Sequence, residues 1–203
     1  MYEKGVVLPM FYLPPVAYFA ELNKHKTDIL IDKEEHFIKQ TYRNRAHIYS
    51  PDGILALTVP VVKGAKVHTK AKDVKISYDF NWQRMHWMGL QNCYRRSAYF
   101  EFYEDSFAPF YHMRYDNLFD YNLEQLKLVI KLLKIKAEFK FTEDYEVSYS
   151  ERIDLRLSLN PKKNTQIDQK PYFQLFEERH GFLNNLSIVD LLFNQGPQAI
   201  NYL

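Results

Sequence analysis

Glycine is scarce, with six in 203 residues, and neither G-x-G-x-x-G nor G-x-x-x-x-G-K-[ST] occurs, so the two common glycine-rich phosphate cradles are excluded. Any nucleotide must be held by another device. Cys93 is the single cysteine, which excludes an internal disulfide and the thiolate zinc patterns. It falls on the apolar face of an expected helix, where a thiol stays protonated and serves as a small hydrophobe. The seven histidines, at 25, 36, 47, 68, 86, 112 and 180, contain no H-x-x-x-H pair, and no metal site or cofactor is expected. No window approaches the roughly 20 apolar residues of a membrane span, and Met1 to Leu8 carries Glu3 and Lys4 in place of a signal-peptide stretch. The expectation is a cytoplasmic protein. Charge of one sign is lacking too: 27 Lys and Arg against 25 Asp and Glu leave a formal +2, too even for an electrostatic nucleic-acid clamp.

What is present is apolar material, 46% of the chain, enough for one core and one domain over residues 1–203. Short β-branched runs at Val6 to Leu8 and Ile29 to Ile31 flank Pro14-Pro15 and the helical stretch Val16 to Leu22, which reads as a β-α-β opening. Ala46 to Tyr49 and Leu55 to Val62 enclose Ser50-Pro51-Asp52-Gly53, a hairpin turn sequence. Val74 to Tyr78 is a further candidate strand. Helical periodicity begins at Asn81, a good N-cap, with Trp82, Met85, Gly89, Leu90 and Cys93 on one stripe, and recurs over Tyr99 to Tyr111 and Asn117 to Leu133. Glu138 to Thr142 reads as a late strand, Asn160 to Lys170 as an exposed loop, and Phe182 to Phe193 as an apolar tail that packs back. The fold class is α/β or α+β, with a mixed sheet and helices packed on it.

Three groups carry candidate chemistry. Lys39, Arg43, Asn44 and Arg45 place cations and an amide near a loop-to-strand junction, which suits a small anionic or nucleotide-sugar ligand; the same arginines could instead pair with Asp32, Glu34 and Glu35. If the segment before Ala46 is extended, Arg43 and Arg45 share a side. A second basic run, Lys63, Lys66, Lys70, Lys72 and Lys75, with Asp73 as its one opposing charge, reads as a solvated loop. His86, four residues after Trp82, points at apolar material as a general base or as a core histidine, and Trp87, one position off the stripe, covers another surface or lines a cleft. Eleven Phe or Tyr between Tyr94 and Tyr121 supply stacking faces and hydroxyls as well as core, and Asp105 on the same segment could act as an acid or base.

Phe37-Ile-Lys-Gln-Thr-Tyr-Arg-Asn-Arg45, Leu55-Ala-Leu-Thr-Val-Pro60, Asn81-Trp82 with His86-Trp87, and Asp105 to Tyr111 together resemble the WbqC-like family. Tyr12-Leu13-Pro14 is similar to its opening and Phe182 to Asn194 with Gly196-Pro197 to its closing motif. The resemblance implies a role in bacterial surface-polysaccharide (O-antigen-type) production, with no reaction established for the family as a whole. The glutamine of the family's Gln-Pro opening is replaced here, where the pair reads Pro9-Met10. Positions carried over are Tyr12, Pro14, Lys39, Arg43, Asn44, Arg45, Thr58, Pro60, Trp82, His86, Tyr94, Pro109, Ser187, Asp190 and Asn194. Ser187 reads as an N-cap with Asp190 at N3. The expected function is a transferase acting on an activated sugar, with His86, Tyr94 and Asp105 as catalytic groups. Tyr12, Lys39, Arg43, Asn44, Arg45, Thr58, Trp82 and Tyr111 would hold the ligand. The alternative is a noncatalytic binding module for a glycan or protein partner. If Arg43, Arg45 and His86 converge in one cleft the enzyme is favoured; if His86 is enclosed and the arginines face open solvent, it is disfavoured.

Overall fold

A computed structural model describes residues 4–62, 69–162 and 169–203. Lys63, Lys66 and His68, together with 163–168 of the polar stretch, lie outside the described residues. The architecture is α/β. Four parallel strands form one sheet in the order β5-β2-β1-β6: β1 is Val6–Pro9, β2 Ile29–Asp32, β5 Phe139–Phe141 and β6 Ile153–Asp154. β3 (Arg45–Ser50) and β4 (Gly53–Thr58) form a separate antiparallel hairpin around the expected turn. Parallel and antiparallel pairing thus both occur, in different sheets.

β1 is buried at every position, and its unbroken Val-Val-Leu run is what a parallel strand covered on both faces requires. The β-α-β opening forms as expected, with helix α1 (Val16–His25) joining β1 to β2. Pro15 cannot cap α1 with a side chain, and the caps come from far along the chain: Val16 N–H donates to the Leu186 carbonyl and Ala17 N–H to Asn185 Oδ1. In return, Ile188 N–H donates to the Pro14 carbonyl and the Ser187 hydroxyl to the Leu13 carbonyl.

The three helical periods become α2 (Trp82–Tyr94), α3 (Phe100–His112) and α4 (Leu118–Leu132). Asn81 caps α2 by accepting the Arg84 N–H. Two short helices follow, α5 (Glu177–His180) and α6 (Ile188–Gln195), the latter buried along almost its whole length, with a 3₁₀ segment, Gly196–Tyr202, after it. Gly196 ends α6 at φ 53°, where a β-carbon would collide with the Tyr99 ring, so both backbone and space demand glycine.

Several readings need correction. Val74 to Tyr78 makes isolated bridges, Val61 with Ile76 and Lys75 with Asn117, after a 3₁₀ turn at Ala71–Asp73. β4 stops at Thr58, because Val59 and Pro60 leave the ladder. β6, two residues long, gave no periodicity to read. Met85 is 66% exposed and does not share the buried stripe of Trp82, Leu90 and Cys93. Burial pushes the Cys93 thiol up to about 11, so it stays protonated at neutral pH. Among the described residues no helix is long and apolar enough to cross a membrane.

Candidate functional site

Ligands of open parallel sheets bind outside the carboxyl ends of the strands. Here two structures grow from those ends. One is a closed ionic network. Asp32, ending β2, accepts the Glu34 and Glu35 N–H groups, the Thr142 hydroxyl and Arg156 Nη1. Arg156 also binds Asp154 of β6 and the carbonyls of Glu146 and Val147, so each guanidinium nitrogen is engaged. Beside it Arg43 makes a two-pronged pair with Glu35, 2.7 Å from Nε to Oε1, and donates to the Arg156 carbonyl. Burial pushes the Glu35 carboxyl up, and the Arg43 guanidinium pulls it back.

Arg43 is therefore buried and satisfied, in the arrangement with Glu35 that the sequence left open as its alternative. It sits in a turn, so Arg43 and Arg45 do not alternate along a strand. Arg45 Nε donates to the Thr58 hydroxyl across the hairpin, Asn44 Nδ2 donates to the Val59 carbonyl, and Lys39 is exposed. In the second basic run Glu34, besides Asp73, opposes the lysines: Lys70 and Lys72 both reach its carboxylate, at 2.7 and 2.6 Å.

The other structure is open. Past β1 the chain turns through Leu13, a buried leucine at φ 38°, a strained conformation costing on the order of 1–2 kcal/mol. The Ser187 hydroxyl on the Leu13 carbonyl helps to hold it. Tyr12, just before it, meets His86 of α2 and Tyr111 of α3: its hydroxyl lies 3.0 Å from His86 Nδ1 and 3.1 Å from the Tyr111 hydroxyl. The Tyr12 ring stacks on His86 and on Tyr121 of α4, and Trp82 packs edge-on against both.

Burial lowers the His86 imidazole to about 4, with a backbone hydrogen bond to Thr58 opposing. The ring is neutral at pH 7 and is held between Tyr12 and Thr58. Because its folded value lies below the ordinary one, its contribution to stability is present above about pH 6.5 and is lost as pH falls through about 4. NMR titration of the ring protons should show no His86 inflection above pH 5; a midpoint near 6.5 would mean that the ring is solvated.

Two clefts flank this cluster and share Phe80 and Trp82. The larger, about 630 Å³, lies at the start of α2 and the end of α3. Tyr78, Phe80, Trp82, Trp87 and Tyr111 supply its aromatic walls, Trp87 stacking on Tyr111 at 5.3 Å. Arg84, Arg114 and His112 line it with Asp79. Both arginines are exposed and neither forms an ion pair with a described residue; Arg114 lies over the Tyr78 ring. The second cleft, about 510 Å³, separates β4 from α2 and is mainly apolar, with Leu55, Leu57, Met85, Met88 and Gly89 around Thr58 and His86. In the wall common to both clefts, the Trp82 indole N–H is buried with no partner among the described residues.

Of the residues expected at a site, Tyr12, Thr58, Trp82, His86 and Tyr111 come together. Arg43, Asn44 and Arg45 do not join His86 in one cleft. Tyr94 is enclosed, accepting the Tyr49 N–H and donating to Asp190 at 2.7 Å, and Asp105 stands exposed on α3 outside both clefts. Ser187 does start α6, but its hydroxyl serves Leu13 and makes no cap bond. Arg84, Arg114, Tyr78 and Asp79 were not singled out from the sequence. Arg84, three residues past the Asn81 cap in the first turn of α2, carried the available signal. Trp87 does line a cleft, as its off-stripe position suggested.

Over 99% of its length the chain is 26% identical to the uncharacterized protein Rv1507c of Mycobacterium tuberculosis, 97% of which is covered. No solved structure gives a significant match. The model of the WbqC-like protein family matches residues 10–166. That span takes in β1's exit, the hairpin and all of α2 to α4, and the chain belongs to the WbqC-like protein family.

Proposed function

We propose that the protein binds an anionic sugar, a sugar phosphate or nucleotide sugar, in the cleft between α2 and α3, as a noncatalytic binding module. The observation that carries the reading is the pair Arg84 and Arg114, exposed and without an ion pair to any described residue, at a cleft walled by five aromatic side chains. Guanidinium forks match phosphate oxygens, and aromatic faces suit sugar or base stacking. The ligand class is the one the sequence suggested; its anionic anchor moves from Arg43 to Arg84 and Arg114. Binding is favoured over catalysis because the expected catalytic groups are dispersed and His86 is held between Tyr12 and Thr58.

A transferase acting on the same sugar, in the polysaccharide context that the family resemblance implies, is the second reading. Asp79 favours it, a cleft-lining carboxylate that accepts the Ser77 hydroxyl at 2.7 Å and could take an acceptor's proton.

The test is thermal unfolding with UDP-glucose and with glucose 1-phosphate. At 100 times its dissociation constant a ligand adds about 2.7 kcal/mol, which for a chain of this size raises the midpoint by roughly 5–10 °C. Arg84→Ala and Arg114→Ala, both at exposed positions, should fold normally and abolish the shift. No shift with either sugar, or a shift that survives both substitutions, refutes the reading.

A further inference from the structure

The apolar cleft between β4 and α2 has no part in holding an anionic sugar, yet it shares Phe80 and Trp82 with the cleft that does. Its surroundings are unusual for a surface with no occupant. Phe80, Met85 and Met88 are each about half exposed or more, and Leu55 on β4 is also exposed, so apolar area converges on one opening. Methionine side chains adapt to flexible apolar ligands.

Gly89 is the more telling feature. It lies in the middle of α2, where glycine destabilises a helix relative to alanine. Its backbone does not call for glycine, since its φ is not positive. Neither does its space: a β-carbon there would stand 3.5 Å from a Leu57 methyl and 3.8 Å from a Leu55 methyl, ordinary contact distances. The fold tolerates a side chain at 89. What a side chain would remove is room in the cleft.

We infer that the β4–α2 cleft receives the apolar chain of an amphiphilic phosphate ester whose anionic head sits on Arg84 and Arg114, so that one ligand spans both clefts across Trp82. This rests on the anionic-sugar reading for the head and adds the chemical class of the tail. Trp82, which lines both clefts, stands in the wall between the two. His86 and Thr58 are the polar groups nearest the start of the chain, and Met85, Met88, Leu55 and Leu57 take its length.

Calorimetric titration with inorganic phosphate, glucose 1-phosphate and decyl phosphate, the last below its micelle concentration, tests this on the full chain. Each buried methylene strengthens binding about fourfold, so decyl phosphate should bind at least about 100-fold more tightly than inorganic phosphate. Gly89→Leu fills the cleft, and Met85→Glu, at an exposed position, sets a charge on its rim. Both should return decyl phosphate to the level of inorganic phosphate and leave glucose 1-phosphate within about twofold of the wild type. Gly89→Ala should raise the melting midpoint by roughly 2–4 °C.

A chain that adds nothing to affinity overturns the inference, and so does a gain that survives both substitutions. A lowered midpoint in Gly89→Ala also counts against it, because packing then demands the glycine. If glucose 1-phosphate fails to bind while decyl phosphate binds in a manner dependent on Gly89, the sugar reading fails and the apolar site stands.

Discussion

Asp190→Ala is expected to remove about 4–6 kcal/mol of stability, a large share of a domain's total. Asp190 is fully buried at the start of α6, and its carboxylate accepts the Tyr94 hydroxyl, the Tyr172 hydroxyl and Gln174 Nε2. Truncation strands three buried donors, each costing on the order of 1–3 kcal/mol, against a total for a domain of about 5–15 kcal/mol. Burial raises the Asp190 carboxyl to about 6, the three donors opposing. A carboxyl whose folded value lies above its unfolded one stabilises most below the unfolded value, near pH 4, and that contribution fades as pH rises through about 6. Urea unfolding across pH 4 to 8 should therefore show an Asp190-dependent decline between about pH 4 and pH 6, and a flat contribution above it. Asp190→Asn should abolish that decline. A stable Asp190→Ala protein would mean that the tyrosines find other partners.

The second large effect is at Glu35. Removing it leaves the Arg43 guanidinium buried and unpaired over the Phe11 ring, and breaking such a pair from one side costs about 3–5 kcal/mol. The double variant Glu35→Leu with Arg43→Met should recover most of that loss, since a well-packed apolar pair often equals a buried ion pair. Chemical denaturation of the two single variants and the double variant measures it; a double variant no better than Glu35→Ala would show that Arg43 does more than answer Glu35. The experiment also separates stability from binding. Arg43→Ala, at a position that the sequence assigns to the ligand, should act mainly through the fold, whereas Arg114→Ala should spare the fold and reach the ligand.

The contrast between Arg43 and Arg114 explains what could be read beforehand. The β-α-β opening, the hairpin and three helices were legible because each is written in local periodicity or turn chemistry: Pro14-Pro15 before Val16, Pro51 and Gly53 in the turn, Asn81 before Trp82. β6 was not, since two residues carry no period. Tyr12, Thr58, Trp82, His86 and Tyr111 were found as members of motifs, and the fold does assemble them. Arg84 and Arg114 were passed over because an arginine's worth as an anion site depends on whether a carboxylate lies within reach, and that is decided by residues distant in sequence. Arg43 could be read either as a ligand anchor or as a partner of Asp32, Glu34 or Glu35, and the fold decides by bringing Glu35 to within 2.7 Å of it. Leu13's left-handed backbone was equally invisible, being imposed by packing and helped by a hydroxyl 174 positions away.

That last contact has a temporal side. Helix α1 begins with N–H groups that wait for Leu186 and Asn185, and the turn carrying Tyr12 waits for Ser187. During synthesis the amino-terminal strand and helix leave the ribosome long before residues 185–188 exist. At roughly 5–20 residues per second they spend on the order of ten seconds or more without their caps. Contacts of such sequence separation also make for slow folding once the chain is free. The Tyr12 corner of the cleft is thus among the last parts of the molecule to take shape, and a nascent chain exposes the apolar run of β1 to chaperones until its own tail arrives to clasp it.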